Sequence, residues 1–379
     1  MKGWNGLRRS GEEGNALLIV IWVTLVLSTL LLAAHNRLSL DRIFYAEHDA
    51  LVVARRRSRD LFHHVILYLQ QDKTRYDTKE EMVFPVEELL DPGLSGAEVE
   101  LWDEGSKLNP NNAPLPLLSA YFAGEAGCFD AVQNRLFGVD GEAAYGQVVR
   151  KDFFLSKAEL NEVFLTGGKG KQGKAEFRQD LTVFSPAILG LLDGEVLVSL
   201  LLRWGEEYDQ TTVLRIIDDF NRNRKDLISL GSFNELAARL HLDLVLETDD
   251  INDLLMMEGC LNPNLISARF LEALFKQKNN EVTYGFYDLD EFREQNPFIE
   301  KSVFEYYLQT LHNIPVTSEE IWKIFALETK IWGVRMRVPV STGRLLETTA
   351  VLRRERDELM TKSRIRVLAY EEQTKINER

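Results

Sequence analysis

Gly14-Asn15-Ala16-Leu17-Leu18-Ile19-Val20-Ile21-Trp22-Val23-Thr24-Leu25-Val26-Leu27-Ser28-Thr29-Leu30-Leu31-Leu32-Ala33-Ala34 is the stretch on which the reading of this chain turns. From Ala16 to Ala34 it contains no charged residue. A helix rising about 1.5 Å per residue would cover roughly 28 Å over that length, close to the ~30 Å hydrocarbon core of a bilayer. Lys2, Arg8 and Arg9 give it a positive leader, as in a secretory signal peptide. Yet the run exceeds the usual apolar region of about 7–15 residues, and Leu32 stands where a signal cleavage site wants a small residue. A soluble core helix is seldom apolar all round for so long. The segment reads as a membrane anchor, with Ala16, Leu17, Leu18, Trp22, Leu25, Leu27, Leu31 and Ala34 facing lipid.

Beyond the span the helix has no reason to stop. From His35 to Asp72 there is no proline and no glycine. Apolar or small residues recur at Ile43, Ala46, Ala50, Val53, Ala54, Leu61, Val65 and Leu69, in steps that suit one helical face. The spacing predicts a single helix of about 55 residues from Asn15 to about Gln70, its first half in lipid and its second against a folded domain.

Composition bounds the rest. The 379 residues are ordinary for a globular chain, 45% hydrophobic and 27% charged, and suffice for two or three domains. A net charge of −14 argues against a nucleic-acid binder, which needs a basic surface. Lys2, Arg8 and Arg9 against Glu12 and Glu13 leave residues 1–34 at +1, so the remainder carries −15. Positive charge ahead of the span favours a cytoplasmic N-terminus and an extracytoplasmic remainder, with Arg55-Arg56-Arg57 beyond the span partly opposing it. Two cysteines, Cys128 and Cys260, rule out a disulfide-dense scaffold and a four-cysteine zinc site, and leave a single bridge open.

The short charged leader ending in Gly14, followed without a gap by the apolar helix, resembles the class III signal of type IV pilins and pseudopilins. The resemblance implies that a prepilin peptidase cuts after Gly14, leaving Asn15 as a methylated N-terminus. Most members of that family carry Glu as the fifth residue after the cut; here it is Ile19. That departure, with Ala16-Leu17-Leu18 and Trp22-Val23, is similar to the minor pseudopilin K branch of type II secretion. Asp103-Glu104-Gly105-Ser106-Lys107-Leu108-Asn109-Pro110-Asn111 resembles a segment of the same branch, and a second Leu-Asn-Pro-Asn occurs at 261–264. In both places an asparagine is suited to cap the helical pattern that follows, with the proline fixing the turn.

The expected fold is α+β: a long N-terminal helix and a pilin-like antiparallel sheet domain holding a large, mainly helical insertion. The expected units are a leader at 1–14, a span at 15–34 and the extracytoplasmic half-helix at 35–72. The first part of the sheet domain takes 73–124, the insertion 125–330 and the closing strands 331–379. Within the insertion 154–166, 180–206, 211–220, 232–240, 251–258 and 264–277 have helical spacing. Strand character returns at Val334–Val338, Thr348–Leu352 and Ile365–Tyr370, and the polar tail from Glu371 reads as frayed.

Catalytic patterns are weak. Gly168-Lys169-Gly170-Lys171-Gln172-Gly173-Lys174-Ala175 mimics a phosphate loop but has Ala175 where a hydroxyl must hold magnesium, so it reads as a solvated loop. His63 and His64 are adjacent and point apart on a helix, which suits packing or solvation better than a shared ligand. Asp249, Asp250 and Asp253, and Asp288, Asp290 and Glu291, offer oxygens to calcium without the full twelve-residue loop; helix caps and turns are the plainer reading. The expectation is a non-enzyme without a cofactor, held in the inner membrane. The resemblance implies a role at the tip of the secretion pseudopilus. Its implied partners are the minor pseudopilins I and J, the major pseudopilin, the prepilin peptidase and the inner-membrane platform. A minor pilin of a related pilus, or a single-pass membrane enzyme, is the alternative.

Overall fold

The computed structural model describes residues 9–85, 96–138, 149–150, 152–166, 180–242, 255–278, 285–315, 317–341, 343–355 and 363–376. Helix α1 runs unbroken from Arg9 to Gln71. Its last third lies on an antiparallel sheet ordered β1 (Glu98–Asp103), β4 (Ile331–Ser341), β5 (Arg344–Glu355), β6 (Arg364–Ile376). Between β1 and β4 come helices α2 (Leu115–Tyr121), α3 (Ala126–Phe137) and α4 (Lys157–Thr166). A two-residue strand β2 (Ala187–Ile188) then leads to α5 (Gly194–Arg203), α6 (Gln210–Arg222), α7 (Arg224–Ile228) and α8 (Phe233–Leu240). Strand β3 (Leu255–Met256) precedes α9 (Ala268–Lys278), α10 (Leu289–Gln295), α11 (Lys301–Tyr306) with a π turn over Tyr307–Leu311, and α12 (Ser318–Trp322).

The sheet follows from alternation. Trp332, Val334, Met336 and Val338 point to one face and meet Ala54, Leu61, Val65 and Leu69 of α1, all buried. Arg335 and Arg337, one residue out of step, pair on the other face with Glu100 and with Glu98 and Glu347. Ser58 enters the apolar seam only because its hydroxyl meets Thr348 Oγ1 at 2.8 Å. The predicted helical stripe is therefore half realised: Ile43 and Ala46 are exposed because they lie below Glu47, where the sheet ends. Val53 is exposed because it lies about 80–120° round the helix from Leu61 and Val65. The described part of the polar tail, to Ile376, is not frayed either. Glu371 to Lys375 continue β6, in register with Thr349 to Leu345 of β5.

The two ends of the sheet can be placed against α1. Arg344, at the turn between β4 and β5, pairs with Glu47 at 3.1 Å. Arg354, at the other end of β5, pairs with Asp72 just past the end of α1. At that far end β1 stops and β4 starts, with Asp103 opposite Trp332 and Glu104 N–H donating to Ile331 O at 2.9 Å. The chain between them thus stands on the end of the sheet farthest from the apolar span.

That intervening chain has two cores. One gathers α2, α3 and α9–α12 around Phe270, Phe298, Phe304 and Tyr307; the other gathers α5–α8 around Leu197, Ile216, Phe220 and Phe233. Asp193, Asp209, Ser232 and Thr317 start α5, α6, α8 and α12 by accepting backbone N–H bonds. Two helical expectations fail. Residues 181–193 form extended and single-turn pieces, since Pro186 and the cap at Asp193 delay the helix to Gly194. Leu255–Met256 is a strand pairing in parallel with Ala187–Ile188, while 251–254 lie outside the described residues.

Candidate functional site

The apolar half of α1 is uncovered by any of the described residues. Ile19 and Trp22 are each 63% exposed and Leu31 70%, and Leu17, Leu18, Leu25 and Leu27 are likewise exposed. The stretch is therefore not the core helix of a folded domain. Its hydroxyls satisfy themselves: Ser28 donates to Thr24 O at 2.7 Å and Thr29 to Val26 O at 2.8 Å. Gly14 and Asn15 lie within the backbone of the same helix. Exposure persists past the span at Leu38, Ile43, Phe44, Tyr45, Val52 and Val53. From Ala34 to Ala54, the first fully buried residue, the helix rises about 30 Å.

The second feature is the pair of Leu-Asn-Pro-Asn turns, which carry bonds the sequence did not foretell. Neither asparagine caps a helix; α2 begins after Pro114 with no side-chain cap. Instead Asn111 pairs both ways with the backbone of Phe154, its Oδ1 accepting from N–H and its Nδ2 donating to O, each at 2.9 Å. Asn264 does the same to Phe298, at 2.8 and 3.1 Å. Asn109 and Asn262 each accept the N–H two residues on. Leu108 bridges Leu181, as Leu261 bridges Phe325. A buried arginine then holds each turn: Arg150 donates to the carbonyls of Pro110, Asn111 and Ala113, and Arg293 to that of Ile266. The signal in the sequence was present in Phe154-Leu155-Ser156-Lys157 and Phe298-Ile299-Glu300-Lys301, each leading into a helix.

The second of these turns ties the insertion to the sheet. Asp103, buried at the end of β1, accepts from Gly105 N, Ser106 N and Ser106 Oγ. Ser106 Oγ in turn accepts from Asn262 N at 2.6 Å, and Asn262 Nδ2 donates to Asp77 O at 2.9 Å. The Asp77 carboxylate meets Arg354 and Thr329 N–H. Burial pushes Asp103 up to about 7, against its hydrogen bonds and with the Asp77 charge adding to the rise. Burial likewise lifts Asp77 to about 7, with Arg354 opposing. Asp72 goes the other way: burial is outweighed by the hydroxyl and N–H of Thr74 and by Arg354.

The remaining candidates do not converge. Asp288 Oδ1 takes the Tyr307 hydroxyl at 3.1 Å and lies 3.3 Å from His312 Nε2, while Asp290 pairs with Lys79 and Arg293. No three of His, Cys, Asp and Glu gather as a metal site among the described residues. Asp249, Asp250, Asp253 and the glycine-lysine segment 168–175 lie outside them. His63 is exposed and His64 half-buried on α1. Cys128 and Cys260 are buried and unbridged, and burial pushes the Cys260 thiol up to about 12.

No protein-family model matches the chain, and no curated protein matches it. Among solved structures it is similar to a chain of the GspK-GspI-GspJ complex from the enterotoxigenic Escherichia coli type 2 secretion system. The likeness spans 86% of this chain and 96% of that one, at 13% identity and a TM-score of 0.35. At those values it carries no argument.

Proposed function

We propose that this chain is a minor pseudopilin of the K type, placed once at the tip of a type II secretion pseudopilus, with assembly rather than chemistry as its role. The position of the insertion carries the reading. The helices stand on the end of the sheet farthest from the span, anchored there through Asp103, Asp77 and Arg354. A subunit stacked above would meet that bulk. Ile19 supports the same place, since it lacks the carboxylate with which pilin-like subunits are expected to receive a neighbour's amine. A carboxylate in lipid is costly unless paired, so its loss suits a subunit with nothing above it.

The exposed apolar residues from Leu38 to Val53 supply what a filament spine needs, a surface for the helices of the I- and J-type and major subunits below. The leader places the N-terminus in the cytoplasm, within reach of the peptidase and the inner-membrane platform, and the head outside.

Sheared pseudopili with a gold label on the C-terminus provide the test. Label at one end only is expected, on a chain whose N-terminal sequence begins at Asn15. Label along the shaft overturns the tip assignment, and a chain still beginning at Met1 overturns the pseudopilin reading.

A further inference from the structure

Strand β6, the longest of the sheet at 13 residues, has β5 on one side and no described strand on the other. Alternate residues along it therefore turn N–H and C=O groups outward with no partner in the sheet. The devices that usually blunt such an edge are scarce. β6 holds no proline, its one lysine, Lys375, is drawn back to Glu347 of β5, and its register shifts once, opposite Val351 and Leu352. Helix α1 leaves the edge uncovered. On the face that α1 occupies, Val367 and Tyr370 stay 45% and 46% exposed, with Phe62 edge-on to the Tyr370 ring at 5.7 Å.

Charge is ordered along this edge. Arg364 and Arg366 stand at the end far from the span, with Arg353 of β5 opposite Arg366 and paired to Glu355. Glu371 and Glu372 lie nearer the span; Glu372 meets Arg55 of α1 at 3.3 Å and Glu371 accepts the Gln373 amide. The register shift puts Arg366 and Glu371 on one face, and Val367 and Tyr370 on the other, although each pair is an odd number of residues apart. A strand of the same sequence laid antiparallel along β6 thus sets Arg366 against Glu371 and Val367 against Tyr370, twice each. A second copy cannot supply that strand from the same membrane. The two-fold axis of such a pairing stands normal to the sheet and reverses the second α1, so its apolar span points away from the bilayer that holds the first. In-register parallel pairing keeps both spans together but sets arginine against arginine and glutamate against glutamate.

We propose that the edge of β6 receives one strand from a different protein anchored in the same membrane, a strand that runs away from the bilayer with its basic residues first and its acidic residues last. β6 descends from Arg364, opposite Glu355, to Lys375, opposite Leu345 near the Arg344–Glu47 pair, so its antiparallel partner ascends. Backbone bonds supply the affinity, while the Val367–Tyr370 shelf and the ordered charges select partner and direction. The pairing rests on the membrane anchor, but on neither the K type nor the tip position.

The full chain in lipid nanodiscs serves for the test. The probe is a fluorophore-labelled, amidated peptide of residues 364–375, which has the required order of charge and no anchor to orient it. It should bind saturably and slow amide exchange in β6, wherever a gold label falls on the filament. N-methylation of one alternate set of its residues should weaken binding by more than about tenfold, and of the other set by less than about twofold, since only alternate residues bond to a neighbouring strand. Glu371→Arg in the chain should weaken binding about fivefold, and Arg366→Glu in the peptide should restore it. A thermal midpoint near that of the parent shows that the variant is folded; if it is not, Glu371→Gln replaces it, with a loss of about threefold. No saturable binding, equal loss from both N-methylated sets, or failure of the paired reversal to restore binding overturns the proposal. A photo-cross-link from position 374 to a second full-length copy within one nanodisc also overturns it, by giving the edge to this chain itself.

Discussion

In the turn at Leu108–Asn111, Asn109 Nδ2 reaches Ser185 O at 2.8 Å and stays within the helical part of the chain. In the turn at Leu261–Asn264, Asn262 Nδ2 reaches Asp77 O and Thr329 Oγ1, which belong to the loop after α1 and the approach to β4. The backbone bonds are otherwise repeated: Leu108 N–H to Asp180 O and Leu261 N–H to Ile324 O, Thr182 N–H to Leu108 O and Ala326 N–H to Leu261 O. One local device thus serves two levels of organisation. The first copy closes a helical unit; the second joins such a unit to the sheet. What differs is the acceptor the amide finds, and that is set by chain distant in sequence.

The largest expected effect tests the arginine grip. Arg150→Leu leaves the carbonyls of Pro110, Asn111 and Ala113 without that donor, at about 1–3 kcal/mol for each buried group left unmade. Relief from burying a guanidinium, which burial itself holds down at about 10, offsets part of this. A net loss of about 3 kcal/mol is expected in urea unfolding, and roughly half that for Arg293→Leu, which frees the Ile266 carbonyl. Equal losses would break the distinction between the turns.

A middle-sized effect separates their roles. Asn109→Leu and Asn262→Leu should each cost roughly 2 kcal/mol, since each removes buried amide bonds. Only Asn262→Leu should expose the junction, giving a first tryptic cut near Arg75 or Lys330 under native conditions. The same first cut in both variants would mean that the second turn holds nothing the first does not.

The smallest effect concerns Asp103, which has Met256 as its counterpart before the second turn. Its folded pKa lies above the unfolded value, so between about pH 4 and 7 the folded chain binds more protons and stability falls as pH rises. Asp103→Asn should remove about 1 kcal/mol of that fall between pH 6 and 7, read as the change in urea midpoint with pH. An unaltered slope would show that Asp103 is ionised throughout and that the Ser106 link to Asn262 is independent of it.

The sequence alone determined the features that depend on near neighbours. A charge-free run of span length needs no partner to be helical, and α1 is helical through it. Alternation marked Val334–Val338, and β-rich composition Thr348–Leu352, because one face of each strand is buried against α1. Apolar spacing likewise located α4, α6, α8 and α9. Tertiary structure decided what local pattern leaves open. Ile43 matches Leu61 and Val65 in helical phase, yet only the latter have a sheet above them. Glu371–Lys375 look like a tail but gain the open edge of β5. Asn111 and Asn264 look like helix caps, but their amides have both a donor and an acceptor to satisfy. A distant strand-like backbone, at Phe154 or Phe298, satisfies both at once, where a helix end would use only the oxygen.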